Sequence, residues 1–185
     1  MGMTANEKLN AVDIDALEIV KYPDPRLEEI STPIDDVQAN AAGLRALIEK
    51  MAELMFDFNG VGLAAAQVGL TVRLFLACPT FEPDDLHVYI NPRIVDYQGA
   101  EVREEGCLSF PGIFAKIKRP AKVTIRATGL DGQEFTTACD GLHGRICLHE
   151  IDHLEGSLLV DRMSSLAKLA NRKALQELEN RQIGK

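Results

Sequence analysis

The stretch His149-Glu150-Ile151-Asp152-His153 constrains this chain more than any other. Two imidazoles four residues apart share one face only if the segment is helical, and on that face they can grip one metal ion. A carboxylate directly after the first histidine can then work on a water beside the ion. The plainer reading is an amphipathic helix whose histidines coincide by chance, since five-residue patterns recur. A metal reading therefore requires the fold to deliver a third ligand to that helix.

Composition limits what surrounds it. A chain of 185 residues, 46% hydrophobic and 26% charged, is expected to form one ordinary globular domain. The net charge of −8 argues against a dedicated DNA or RNA binder. Residues 164–185 carry Lys168, Arg172, Lys173, Arg181 and Lys185 against Glu177 and Glu179, a local +3 that leaves −11 on the remainder. A basic tail on an acidic body suits an acidic partner, although a solvated helix face explains it equally well. No apolar run approaches the ~20 residues of a membrane span. Met1 to Asn10 has no hydrophobic core of a secretion signal, and Asn6 stands where a myristoylated Gly2 would need Ser or Thr. Cys78, Cys107, Cys139 and Cys147 are too few and irregular for a disulfide framework, so a reduced, cytoplasmic setting is expected.

Local patterns divide the chain into a loose polar segment (1–16), a catalytic domain (17–163) and an amphipathic helix with a tail (164–185). Tyr22-Pro23-Asp24-Pro25 must be extended or turned. Asp35 or Asp36 caps a helix to about Phe56, whose Leu44, Leu47, Ile48, Met51, Leu54 and Met55 form one stripe. Val72 to Cys78 and His87 to Asn91 read as strands. Lys122 to Thr128 and Glu134 to Ala138 flank Asp131-Gly132 as a hairpin. A helix from Gly141 to Leu154 holds the histidines and closes at Gly156. A last helix, Ser165 to Arg181, places Leu166, Leu169, Ala170, Ala174 and Leu178 on one side. The class is α+β: mostly antiparallel strands around a central metal-binding helix, with a helix in the N-terminal half and another at the C-terminus.

The third ligand separates the chemistries. A His-ligand protease would place histidine three residues beyond Gly156, where Leu159 stands. A Glu-ligand protease would draw on Glu177 or Glu179, which pair more naturally with Lys173 or Arg181. Cys78 and Cys147 look like buried small hydrophobes, and Cys139 ends a strand. Cys107 follows Gly106 in Glu104-Glu105-Gly106-Cys107-Leu108-Ser109, where glycine permits close backbone approach. Spacing favours Cys107 without closing the question.

Three segments resemble, in order, the signature motifs of peptide deformylases: Gly60-Val61-Gly62-Leu63-Ala64-Ala65-Ala66-Gln67, Glu105-Gly106-Cys107-Leu108-Ser109 and His149-Glu150-Ile151-Asp152-His153-Leu154-Glu155-Gly156. Tyr22 to Leu27 and Asn91-Pro92 are similar too. The likeness, to the bacterial type with a C-terminal helix, covers about Leu17 to Met163. Leu148 departs from the glutamine common in that family, and Ala66 from its frequent proline.

The resemblance implies that Cys107, His149 and His153 hold a metal, Fe(II) natively, with Zn, Ni or Co able to occupy the same ligands. It implies an enzyme that removes the formyl group from N-formylmethionine on nascent polypeptides, in the bacterial cytoplasm or an organelle. Glu150 would be the base and then the acid. The Gln67 amide and the Leu108 N–H would face the oxyanion. Gly60 and Gly62 would let the substrate backbone lie alongside as an added strand. Val61, Leu142 and Ile146 would line the methionine slot, unless the last two are plain helix core. Glu105 and Arg119 would pair beneath the Cys107 loop. The C-terminal helix would dock the enzyme on the ribosome through its basic residues. The alternatives are a zinc metallopeptidase and a non-catalytic module stabilised by its metal.

Overall fold

The segment Leu74-Phe75-Leu76-Ala77 is buried throughout, so the sheet that contains it must be covered on both faces. The computed structural model describes residues 3–183. Helices α1 (Ala5–Ala11) and α2 (Ala41–Asp57) precede strands β1 (Gly62–Ala64), β2 (Leu74–Ala77) and β3 (His87–Gln98). Two hairpins follow, β4 (Glu101–Cys107) with β5 (Phe110–Arg119) and β6 (Lys122–Thr128) with β7 (Glu134–Asp140). Helices α3 (Gly141–Leu154), α4 (Leu159–Arg162), α5 (Ser165–Ala170) and α6 (Arg172–Ile183) complete the order. One antiparallel sheet runs β1-β2-β3-β6-β7, and β4-β5 is a separate ribbon. The α+β class and the central helix are as expected.

Strand alternation sorts the core. Leu74 and Leu76 turn to the α2 side, against Leu44, Leu47 and Met51. Phe75 and Ala77 turn to the α3 side, where Cys147, Ile151 and Leu154 meet Tyr89, Val123 and Ile125. The ribbon packs its own inward row, Ile113, Ala115 and Ile117, against Leu158, Leu159 and Leu178.

Four expectations need correction. The N-terminal segment is not loose throughout: Thr4 and Glu7 form a reciprocal cap on α1. That helix buries Ala5 and Leu9 against α2, and Lys8 Nζ donates to Thr71 Oγ1 at 2.6 Å. The α2 helix starts at Ala41, because Asp36 has a φ of +45° and spends its carboxylate on the Ala39 N–H. Strand β3 continues through Pro92 to Gln98 because Asn91, at φ +51°, exchanges hydrogen bonds with both backbone groups of Ile34 at 2.8 Å. Register shifts then carry it along β6.

The terminal helix is two helices. Asn171 separates them, its side chain donating to the carbonyls of Phe114 and Ala167 at 3.1 Å each. The packed face is Ala167, Ala174, Leu175 and Leu178, whereas Leu166 and Leu169 are 76% and 65% exposed. Lys185 lies outside the described residues, as do Gly2 and the Arg181 side chain.

Candidate active site

Gly141, at φ +54°, turns β7 directly into α3. From Gly144 to Leu154 every residue of this helix is buried. The His149 and His153 ring centroids lie 5.1 Å apart, one helical turn along a single face. Cys107 reaches them from the end of β4, where the ladder slips register after Gly106. A Cβ on Gly106 would stand 2.7 Å from the Phe114 ring, so a side chain there would displace that ring from the cleft wall. The Cys107 Sγ lies 3.2 Å from His153 Nε2, and the three ligand atoms fall within 4.8 Å of one another.

The surroundings orient this trio. Glu105 Oε2 sits 3.0 Å from His149 Nδ1, which engages that nitrogen and leaves Nε2 for a ligand. The same carboxylate accepts from Arg119 at 2.6 and 2.9 Å and from Arg145 at 2.7 Å. Arg119 also reaches Asp152 at 2.7 Å, and Arg162 joins Asp152 from outside. The Glu105–Arg119 pair read from the sequence is therefore part of a larger buried network. Burial alone would raise the Glu105 carboxyl, but hydrogen bonds from His149 and Arg119 hold it well below the usual carboxylate range. Burial would likewise raise the Cys107 thiol and lower the His149 imidazole, yet His153 and His149 together pull the thiol well down, and Cys107 and Glu105 pull the His149 imidazole well up. A thiolate and two imidazoles converging in this way form a donor set suited to iron, zinc, nickel or cobalt.

Glu150 is 3% exposed and lies against this centre. Burial pushes its carboxyl up to about 7, with the His149 and His153 imidazoles pulling the other way. Its Oε2 has no protein partner among the described residues. A Cβ on Gly62 would meet Glu150 Oε1 at 2.5 Å and Ile146 Cγ2 at 2.6 Å, so only glycine fits beside the carboxylate. Gln67 is fixed from one end: its Oε1 accepts from the Ala64 N–H at 2.9 Å. That bond turns the Nε2 donor toward Cys107 Sγ at 3.4 Å and Ser109 Oγ at 3.3 Å. The oxygen thus holds the loop while the nitrogen faces the centre.

These groups open into a cleft of about 680 Å³. It collects Gly60, Val61, Gly62, Gln67, Cys107, Leu108, Leu142, Ile146, His149 and Glu150. His153, 1% exposed, lies behind Cys107 and does not line it. Leu142 is 47% exposed at the rim, while Ile146 both lines the cleft and belongs to the core. Lys21 Nζ donates to the Leu108 carbonyl at 2.7 Å and pins that loop. Phe58, Phe110, Ile113 and Phe114 also line the cleft and were missed. The buried alternation Ile113, Ala115, Ile117, Arg119 was the signal that could have found the strand of Phe110, Ile113 and Phe114, whereas Phe58 caps the end of α2. Glu177 and Glu179, weighed as protease ligands, pair instead with Lys173 at 4.0 Å and with the Tyr22 hydroxyl at 3.1 Å.

Such a centre, with a buried carboxylate beside it and an apolar cleft above, defines the class of metal-dependent hydrolases. The polypeptide deformylase family model matches residues 16–169. A peptide deformylase from Acidobacterium capsulatum is 43% identical over 152 residues, covering 81% of this chain and 88% of that protein. Peptide deformylase 2 of Xanthomonas campestris is 40% identical, covering 88% and 95%. Among solved structures, a plant peptide deformylase superposes with a TM-score of 0.84 at 40% identity, covering 90% of each chain. One from Plasmodium falciparum gives 0.83 at 35% identity, covering 88% of this chain and 95% of the other. The chain belongs to the peptide deformylase family, metal-dependent enzymes that remove the formyl group from the N-terminal methionine of nascent polypeptides.

Proposed function

We propose that the cleft deformylates N-formylmethionyl peptides with Cys107, His149 and His153 as the metal ligands and Glu150 as the proton carrier. The observation that carries this reading is Glu150 itself, buried with a free oxygen directly beside the three-ligand cluster. When bound, the metal supplies the Lewis acidity that makes water a nucleophile near neutral pH. Glu150 takes the proton from that water and delivers it to the departing amine. A carboxyl raised by burial can do both, because it is neither a strong acid nor a fixed anion. Charge growing on the formyl oxygen is met by the Gln67 Nε2 donor, already turned inward, and by the Leu108 backbone N–H.

The peptide enters as a strand. β1 is an edge of the main sheet and runs along the cleft, so its outer side is open to an added antiparallel or parallel segment. Gly60 and Gly62 keep that side clear, and Val61, Ile146 and the rim residue Leu142 receive the methionine side chain. The unbranched thioether suits an irregular apolar slot. The resident metal in this reading is Fe(II), with zinc, nickel or cobalt able to replace it. The enzyme works in the cytoplasm, where nascent chains emerge.

The test is anaerobic purification, metal analysis, and release of formate from formyl-Met-Ala-Ser compared with acetyl-Met-Ala-Ser. Preferential deformylation with iron bound is expected. No preference for the formyl peptide would sink the reading, and the absence of iron would sink the metal assignment alone.

The exposed tail residues Lys168, Arg172 and Lys173, beside the outward Leu166 and Leu169, support docking on ribosomal RNA. Truncation is a poor probe because Leu178 belongs to the core and Ala174 packs against it. Reversing the three basic charges should abolish cosedimentation with ribosomes at low salt while leaving peptide turnover intact. Unchanged cosedimentation removes the docking proposal.

A further inference from the structure

Cys139, His143 and Cys147 recur at intervals of four, and the fold gathers them on the opposite side of α3 from the cleft. At about 100° per residue, Cys147 points roughly 200° away from His149. Cys139 is the penultimate residue of β7, and His143 and Cys147 follow one turn apart on α3. Gly144 makes the approach close: a Cβ there would stand 2.9 Å from the Cys139 carbonyl oxygen. One ligand atom from each of the three residues lies within 4.8 Å of the other two.

The distances approach those of a coordination shell. Cys139 Sγ lies 3.9 Å from His143 Nε2. The corresponding edge of a zinc tetrahedron, with bonds of about 2.3 Å to sulfur and 2.0 Å to nitrogen, is roughly 3.5 Å. A fourth donor, an oxygen, is also at hand. The Tyr89 hydroxyl, from β3, stands 2.9 Å from His143 Nε2 and 3.7 Å from Cys139 Sγ. Both cysteines are buried in the apolar layer of Phe75, Val123 and Ile125, whereas His143 is half-buried and gives access from outside. The His87 ring lies 4.6 Å from that of His143, and its Nε2 is 2.9 Å from Asp85 Oδ1. An imidazole and a carboxylate therefore flank the only half-exposed ligand, where an entering cation would pass.

We propose that Cys139, His143 and Cys147 form a second metal site, for Zn(II) or another thiophilic d10 cation, which ties β7 to the catalytic helix and takes no part in hydrolysis. Two sulfurs and one imidazole select such ions over the harder Mg(II) or Ca(II). The fourth position is filled by Tyr89 or by water. A scaffold site of this kind adds its binding free energy to folding and releases thiol protons as it fills.

The test uses the holoenzyme, purified under reducing conditions with its first metal in place and then equilibrated with Zn(II). Native mass spectrometry should show a second ion per chain, and the unfolding temperature should rise as it binds. His143→Leu should lose the second ion and the thermal shift while keeping the first ion and formate release. Cys139→Ser should do the same; if it fails to fold, the half-exposed His143 position still decides. A single ion per chain in the wild type under excess Zn(II) would overturn the proposal. So would retention of the second ion in His143→Leu, or a Cys139–Cys147 disulfide in the reduced preparation.

Discussion

On the cleft side of α3, Cys107, His149 and His153 have a carboxylate pressed against them in Glu150 and a second one, Glu105, holding His149 by its far nitrogen. On the core side, Cys139, His143 and Cys147 have Tyr89 and an apolar layer, and no carboxylate hydrogen-bonds to their ligand atoms among the described residues. The donor sets are nearly the same, since each mixes thiol with imidazole. The surroundings are not. Ligands determine which cation is held, but a proton acceptor of the right basicity and an aimed amide donor determine whether anything reacts there. Among the described residues the cleft side brings both together, in Glu150 and Gln67, and it opens into a cavity of about 680 Å³.

The sharpest way to break this contrast is Glu150→Gln. The substitution keeps the shape of the side chain and removes the carboxylate proposed to carry the proton. Turnover of formyl-Met-Ala-Ser should fall by about 10²–10⁴-fold, with metal content unchanged on both sides of the helix. Near-normal kcat in a metal-loaded variant would show that the carboxylate does not distinguish the two clusters.

A smaller effect should follow Glu105→Gln, which leaves the ligands untouched. His149 loses its charged partner, so affinity at the cleft site should drop about 10–100-fold. Arg119 and Arg145 also lose their shared counter-charge, and breaking a buried pair costs ~3–5 kcal/mol. Metal content after dialysis against a chelator, read together with a denaturant midpoint, separates the two effects. Equal loss of zinc from the Cys139 side would mean the clusters are not independent.

The two regions were also unequally legible. α3 could be read from Gly141 to Leu154 because glycine, histidine and apolar spacing all agree there. The β4–β5 ribbon, which carries Cys107 and one wall of the cleft, was not read as a hairpin. Its outer residues, Glu101 to Glu104, look like surface, and the inward Glu105 and Arg119 are charged residues buried within a network that also takes in Arg145, His149 and Asp152. Apolar alternation marks β5 through Ile113, Ala115 and Ile117, but it gives no sign of β4, whose one buried residue is the charged Glu105. For the same reason Arg145 and Asp152, both buried, passed unnoticed within the helix. The Cys139, His143 and Cys147 triad was visible as a spacing. In sequence its cysteines look like core and strand-end residues, because closeness to Tyr89 depends on how β3 and β7 flank β6. Leu166 and Leu169 show the opposite error. Apolar periodicity grouped them with Leu178 on one side of a single helix, but they precede the break at Asn171 and lie exposed, whereas Leu178 is buried.

The smallest effect is expected on the core side. Tyr89→Phe keeps the ring that stacks on Phe75, with centroids 4.6 Å apart, and deletes only the hydroxyl. His143 and Cys139 each lose one weak or moderate hydrogen bond, a cost of about 1 kcal/mol. For a chain of this length that corresponds to a fall of roughly 2–4 °C in unfolding temperature. The three remaining ligands should still bind zinc, and formate release should not change. The pairing of results matters more than either value. A stability loss without a catalytic one places the Tyr89 side in the scaffold, whereas a parallel loss of turnover would show that strain on this face of α3 reaches His149 and Glu150 through the helix itself.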